Sequence, residues 1–423
     1  MLRFLLLRGR ARDAFRLTVL LACWVAVACR SQPGVVAERT EIHIGATLPL
    51  TGAEAKVGGF FKEGYELAVE EANHGGGLEV GGKRLKVKLS LLDDTTNQAT
   101  AVSLADRLIN SEKVDFLLGT YSTALVQAQS TVAEQNHVPY VNGGGAATDI
   151  YRRNYRYLFG LLAPVEVLGS TLMQWIDEQQ QAGKIPKPAR IALVWENTAH
   201  GKDFRLGVSQ FAAKSGAYSL VVDEPFELNG KDFGALLGKV KAAGADLFLA
   251  DAHLPDYITM HRQYVSAGLC HKLVSYGARG SEQGAIEALG KENVAHILSA
   301  VWWNAALAGK DGPARHFVDA FKTRYGRVPE WFQALGYESA RALFRAIELA
   351  GSADREAVRN QLAKLELPSI LPGGTLTFPA ESGQQARYPF VVQQNMPDGT
   401  SPIIFPRDVA NGTGIAPNPR CPN

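Results

Sequence analysis

The chain has 423 residues, 46% of them hydrophobic and 20% charged, which excludes a wholly disordered or collagen-like polypeptide and leaves room for two or three domains. Its formal net charge of +2 hides an asymmetry: residues 1–28 hold Arg3, Arg8, Arg10, Arg12 and Arg16 against Asp13 alone, which leaves −2 for the remainder. A general nucleic-acid-binding surface has no support in that balance.

The arginine-rich start runs into the apolar stretch Leu17–Ala28. Its dozen residues are too short, at about 1.5 Å each, to cross a hydrocarbon core of about 30 Å. A basic start, a short apolar run and small residues before a break are the parts of an export signal, predicted here over 1–28. The signal ends Ala26-Val27-Ala28-Cys29 and is followed by the polar run Arg30-Ser31-Gln32-Pro33-Gly34. This resembles a bacterial lipoprotein box, which implies a lipid on Cys29, although Ala26 stands where a large aliphatic residue is usual. Ordinary cleavage near Ala28, with Cys29 unmodified, is the alternative. No other stretch approaches the roughly 18 uninterrupted apolar residues of a membrane helix, so a soluble body is expected beyond a linker at 29–39.

In that body, Ile42, Ile44 and Ala46 alternate with polar or small residues as a strand does, and Tyr65, Ala68, Val69 and Ala72 then mark a helix face. Leu85, Val87, Leu89 and Leu91 predict a second strand, and Ala101, Leu104, Ala105 and Leu108 the next helix. Short buried strands follow at Phe116–Leu118 and Val138–Val141, with a helix over Thr123–Glu134 between them. After a helix near Val165–Gln181 the rhythm restarts. Strands are predicted at Arg190–Trp195, Ser219–Val222, Asp246–Ala250 and Leu273–Tyr276, separated by helices near Phe204–Lys214, Phe233–Ala243 and Pro255–Ala267. A strand at Ala295–Val301, helices at Ala314–Tyr325 and Trp331–Ala350, and strands at Thr375–Phe378 and Tyr388–Gln393 complete the series. Alternating βα units predict an α/β fold of two doubly wound parallel-sheet lobes, joined near Gly160–Pro164.

In such sheets ligands sit beyond the carboxyl ends of the strands. The loops at 49–58, 93–96, 119–123, 142–148, 196–202, 251–255 and 277–280 are therefore the place to look. Helix N-termini there offer unpaired N–H groups suited to a carboxylate. Other chemistry finds less support. Gly77–Lys83 has P-loop spacing but is followed by Arg84 and lies between a helix and a strand, the reverse of the required order, so it reads as a surface turn. Gly143-Gly144-Gly145-Ala146-Ala147-Thr148 lacks the last glycine of a dinucleotide fingerprint, and no cofactor is expected. His253, His261 and His271 form no ligand pattern, so no metal is expected. Asp93 and Asp94 end a strand, where they either cap a turn or serve an exported α/β enzyme together with a cleft histidine. Of the four cysteines, Cys270 and Cys421 remain once the export segment is set aside. An oxidising compartment permits them to pair, but spacing alone does not bring their Cα atoms within about 7 Å.

Across residues 40–400 the sequence resembles the periplasmic leucine/isoleucine/valine-binding proteins of ABC import systems. The resemblance rests on Ile44-Gly45-Ala46-Thr47-Leu48-Pro49-Leu50-Thr51-Gly52, the helix Gly64–Asn73, Val114-Asp115-Phe116-Leu117-Leu118-Gly119, Val138-Pro139-Tyr140-Val141-Asn142 and Gly336-Tyr337-Glu338-Ser339-Ala340, in that order. It implies the type I periplasmic binding fold, with a three-crossing hinge between a first lobe of 40–160 plus 303–386 and a second of 161–302 plus 387–410, ahead of a tail at 411–423. It also implies a monomer that closes over a small carboxylate-bearing ligand, an amino acid or an aromatic or organic acid, and delivers it to ABC permease subunits. Membrane attachment would be through lipid alone, without catalysis or nucleic acid. A sensor that presents the same closed form to a receptor is the rival reading.

The resemblance implies that Tyr121, Ser122 and Thr123 and the loop of Gly144, Gly145, Ala146 and Thr148 hold a carboxylate. Capping of the following helix is the competing role for Ser122. His200 and His253 fall where aromatic residues of the second lobe press on the ligand, and Val57 where one projects from the first loop. Trp302 and Trp303, at a hinge crossing, either line the cleft or pack. Arg279, in Gly277-Ala278-Arg279-Gly280, stands where an acid meets a ligand ammonium in the amino-acid binders. Inside the cleft it favours a second carboxylate or a neutral oxygen-rich ligand; turned to solvent it says nothing. Asp251 remains an alternative partner for an ammonium.

Overall fold

A computed structural model of the protein describes residues 39–421. The expected export segment and Cys29 lie outside those residues. Among the described residues no helix is long and apolar enough to cross a membrane.

The first sheet begins with β1 (Glu41–Leu48), whose Ile42, Ile44, Ala46 and Leu48 are all buried. Helix α1 (Ala55–His74) covers it with Phe61, Tyr65 and Ala68, and the chain turns back through β2 (Leu78–Val80) and β3 (Lys83–Asp93). The stretch read as a surface turn is thus a hairpin. Gly81 and Gly82 make its turn, while Leu78 and Val80 point inward and pair antiparallel with Leu85 and Lys83. Three residues of alternation around Glu79 are too few to register as a strand. Next come α2 (Gln98–Asn110), β4 (Phe116–Leu118), α3 (Thr123–Gln135), β5 (Tyr140–Asn142) and β6 (Leu158–Gly160). The spatial order is β2-β3-β1-β4-β5-β6, parallel except for β2.

A first crossing at 161–164 leads to α4 (Val165–Gln181) and the second sheet. Its elements are β7 (Ala189–Glu196), α5 (Ala199–Ser215), β8 (Tyr218–Phe226), α6 (Gly234–Ala243), β9 (Leu247–Asp251), α7 (Leu254–Ser266), β10 (Leu273–Tyr276), α8 (Gln283–Leu289) and β11 (Leu298–Val301). A second crossing at 302–304 returns the chain to the first sheet through α9 (Gly312–Tyr325), α10 (Trp331–Ala350) and α11 (Arg355–Leu362). Helix α10 lies so close to α1 that a Cβ on Gly64 would overlap the carbonyl oxygen of Gln333. Thr375–Leu376 and Leu367–Pro368 pair with each other in a separate two-stranded ribbon, so the strand expected at 375–378 joins neither main sheet. We label Leu367–Pro368 β12 and Thr375–Leu376 β13. After a third crossing, β14 (Val391–Gln394) pairs antiparallel with β11 and β15 (Ile403–Phe405) antiparallel with β14, giving β15-β14-β11-β10-β9-β7-β8.

Side chains fasten the crossings. The Trp302 indole N–H donates to the Ala163 carbonyl at 2.8 Å and that of Trp303 to Ile370 at 3.0 Å. The Gln385 amide donates to the carbonyls of Ala146 and Leu162, both at 2.9 Å. The end of the chain folds back on the second sheet, where a disulfide joins Cys421 to Cys270 with Cα atoms 5.3 Å apart.

Candidate functional site

The carboxyl ends of the two sheets face each other across a narrow, partly open cavity. Its first wall is built where β4 runs into α3. Buried Asp94 accepts hydrogen bonds from the hydroxyls of Thr47 (2.9 Å) and Thr120 (2.5 Å), and the Tyr65 hydroxyl donates to Gly119 at 2.6 Å, which fixes this turn. Ser122 occupies the N-cap position of α3, yet its side chain makes no capping bond. Ser122 lines the cavity beside Tyr121 and Thr123. The first N–H groups of α3 lack helical acceptors, as at every helix start. Thr123 Oγ1 accepts the Ala146 N–H at 3.1 Å and so binds the 144–146 loop to the helix. That loop passes so near that a Cβ on Gly144 would overlap the Thr120 carbonyl oxygen.

The second wall carries charge. Glu196 ends β7 and Asp251 ends β9; His200 lies on the first turn of α5, and His253 just precedes α7. His200 Nδ1 is 2.8 Å from Asp251 Oδ2 and 3.8 Å from Glu196 Oε1. His253 Nδ1 is hydrogen-bonded to Glu196 Oε2, which also accepts the His253 N–H at 3.1 Å. Burial opposes charging of His253, but Glu196 outweighs it and holds the imidazole up at about 10. His200 is raised in the same way, its burial overcome by Asp251. Ligating atoms of Glu196, His200 and Asp251 all lie within 4.8 Å of one another, a spacing that can gather a cation, yet the imidazoles and carboxylates already satisfy one another as pairs. His261 and His271 sit apart from this group, bonded to Tyr276 and Tyr264 respectively, and burial lowers both to about 4.

Arg279, in the loop after β10, is 4% exposed and faces inward. One guanidinium nitrogen meets Glu282 Oε1 at 2.7 Å, and another donates across the cavity to the Tyr121 hydroxyl. Its carbon lies 5.3 Å from the centroids of the Trp331 and Tyr121 rings and 5.2 Å from Phe332, close enough for cation–π attraction. Burial raises Glu282 to about 7 against the pull of Arg279, and burial likewise raises Glu54 nearby. Two further contacts bridge the walls: the Thr148 N–H donates to Asp203 Oδ2 at 2.8 Å, and Lys56 pairs with Glu287.

Of the residues read from the sequence, Tyr121, Ser122, Thr123, Gly144, Ala146, His200, His253 and Arg279 meet at the cavity. Gly145 lies behind it, its N–H donating to Asn142 and its carbonyl accepting from Tyr151. Thr148 reaches Asp203 instead. Val57 lies on α1 rather than in a loop, 1% exposed within the core. Asp251 is turned to His200 and does not line the cavity. Asp93 and Asp94 tie turns: Asp93 accepts the N–H groups of Leu50, Thr51 and Thr95, and Asp94 that of Thr96 besides its two hydroxyls. Trp302 lines the cavity, whereas Trp303 lies outside its lining and packs against Phe317. The sequence reading missed Trp331 and Leu162, which also line the cavity, and the pairing role of Glu196.

Comparison with known proteins adds to this geometry. The family model described as "Periplasmic binding protein" matches residues 41–400. A Leu/Ile/Val-binding protein homolog (homolog 8) of Brucella suis biovar 1 (strain 1330) is 25% identical over 385 residues, which is 90% of this chain and 94% of that protein. The crystal structure of a leucine binding protein from Thermotoga maritima MSB8 superposes with a TM-score of 0.74 at 23% identity, covering 86% of this chain and 97% of the other. An ABC-transporter solute binding protein from R. palustris, in complex with benzoate, gives 0.72 at 20% identity, covering 89% and 98%. At these identities the likeness to the two solved structures is one of fold, the type I periplasmic binding architecture.

Proposed function

The chain belongs to the periplasmic binding protein family, and from that membership we propose that it captures a small carboxylate-bearing organic ligand between its lobes and delivers it to an ABC import permease. The family is one of extracytoplasmic solute-binding proteins rather than enzymes. The observation that carries the reading is the cavity between the sheets, whose lining brings Ser122 and the start of α3 together with the donors His200, His253 and Arg279. The proteins similar in fold to this one include a leucine binder and a benzoate complex, both ligands carrying a carboxylate.

Closure is the mechanism. A ligand that touches both walls favours the closed arrangement by the difference between its contacts there and in the open one. The Arg279–Tyr121 and Asp203–Thr148 contacts are the protein's own share of that closed state. We assign 40–160 with 303–386 to the first lobe and 161–302 with 387–410 to the second. A signal over 1–28, a lipid on Cys29 and a monomeric body complete the proposal.

A thermal-shift panel of amino acids, aromatic acids and aliphatic acids on purified, ligand-stripped protein tests it. A ligand that binds only the folded state at 100 times its Kd stabilises by about 2.7 kcal/mol. At least one acid is expected to raise the midpoint; a flat response to every small carboxylate would remove the proposal.

A further inference from the structure

We propose that the ligand is a small organic diacid, with one carboxylate against Ser122 and the start of α3 and the other among Arg279, His200 and His253. This deepens the capture reading above and rests on it.

The cavity lining carries three side chains able to bear positive charge, His200, His253 and Arg279, and no carboxylate. Four acids lie close by outside the lining: Glu196 and Asp251 are bonded to Nδ1 of His253 and His200, on the far side of each ring from Nε2, Glu282 is bonded to Arg279, and Glu54 is buried near His253 and Arg279. Among the described residues neither Nε2 has a hydrogen-bond partner, and neither is a fully enclosed, unsatisfied atom. A carboxylate behind an imidazole fixes the ring and leaves the opposite N–H as the working donor. Both histidines therefore present an outward donor into the same cavity. Arg279 spends one N–H on Glu282 and one on Tyr121, out of five. Because Glu282 is held up to about 7, its countercharge near neutrality is partial.

The ammonium of an α-amino acid would meet these donors with no carboxylate in the cavity lining to accept it, and an unpaired buried charge is strongly unfavourable. A second carboxylate satisfies the same groups, because a guanidinium fork matches a carboxylate in geometry as well as charge. The opposite end is independent of this. Ser122 and the helix start form a neutral donor set suited to the first carboxylate. Tyr121, Trp302 and Trp331, in the same lining, offer aromatic surfaces to an apolar spacer.

The test is calorimetric titration of ligand-stripped protein at pH 7 with glutarate and terephthalate, each beside its half-amide, and with leucine and benzoate. One diacid at least is expected to bind about 10- to 100-fold more tightly than its half-amide, which keeps the shape and loses the charge. Equal binding of diacid and half-amide would favour a neutral oxygen-rich ligand and overturn the proposal. So would leucine or benzoate binding more tightly than either diacid. Arg279→Met, and Arg279→Lys as the variant that retains charge beside Glu282, should bring the diacid-to-half-amide ratio down by about 10-fold or more in the first and less in the second. An unchanged ratio in a folded Arg279→Met protein removes Arg279 from the site. Silence toward every acid defeats the capture reading itself, an outcome distinct from a panel in which single acids bind and diacids show no advantage.

Discussion

The two walls of the cleft, which on the proposed reading both present hydrogen-bond donors to a ligand, are built by different physics. The first is neutral. Its donors are a hydroxyl and helix-start N–H groups, held by neighbours such as Thr123 on Ala146 and Thr120 on Asp94. The second is ionic: two imidazoles and a guanidinium, each backed by a buried acid. A neutral donor costs little to bury once its turn is formed, whereas each buried ion must keep its partner. The first wall should therefore tolerate substitution and pH better than the second, its one buried acid, Asp94, being satisfied by neutral hydroxyls and an N–H group.

The largest expected effect comes from breaking a pair on the second wall. Glu196→Gln leaves His253 without its countercharge and His200 with Asp251 alone, and should lower the unfolding free energy at pH 7 by about 3–5 kcal/mol. On the first wall, Thr123→Val removes the acceptor for the Ala146 N–H and should cost about 1–3 kcal/mol. Urea unfolding of both variants with a common m-value makes the comparison. If Thr123→Val proves as damaging as Glu196→Gln, the contrast between the walls is lost.

The next effect is read against pH. Folded His253 sits at about 10 against an ordinary 6.5, so the native state binds the extra proton across that window. Its stabilisation is complete below pH 6.5 and is lost as pH rises toward 10. Glu282, raised by burial from 4.5 to about 7, likewise binds more proton when folded, so its contribution also falls between those values. Each group contributes a slope of at most about 1.4 kcal/mol per pH unit. Glu196 is shifted the other way: His253 overcomes the effect of burial and lowers it, so its contribution disappears as acid protonates it below 4.5. His261 and His271, lowered by burial to about 4, work against Glu282, because the unfolded chain binds their protons first and stability rises with pH from about 4 to 6.5. Stability should therefore peak near pH 6.5 and decline on both sides of it. Glu282→Gln should steepen the rise from 4.5 to 6.5, and Glu196→Gln should flatten the limb from 6.5 to 10. An alkaline limb that Glu196→Gln leaves intact would show that His253 is not what titrates there.

The same division governs what could be read before the structure was known. Strand-end positions are local information, so Tyr121, Ser122, Thr123, Gly144 and Ala146 were reachable from the βα rhythm and the family resemblance. Helix α10 was legible at both ends because its apolar stripe is long and bounded by Pro329 and Gly351. The partners on the second wall were not legible. Glu196 and His253 are 57 residues apart, His200 and Asp251 51, and Tyr121 and Arg279 158, and no local pattern couples them. Trp331 reaches the cavity only because the chain has crossed the hinge twice. Val57 went to a loop by analogy; its proximity to Phe61, one helical turn on, places it inward at the start of α1.

The smallest effect on stability should accompany a clear effect on binding. Ser122 stands at the N-cap of α3 without making a capping bond, while Asn97, at the N-cap of α2, accepts the Thr100 N–H at 3.0 Å. Asn97→Ala should therefore cost about 1 kcal/mol, and Ser122→Ala no more than about 0.5 kcal/mol. A serine kept in a helix-start position that it does not cap serves something outside the helix. Ser122→Ala should accordingly weaken carboxylate binding by about 10-fold while the unfolding midpoint barely moves. If instead stability falls as in Asn97→Ala and affinity is unchanged, Ser122 is a cap in solution, and the first wall depends on backbone donors alone.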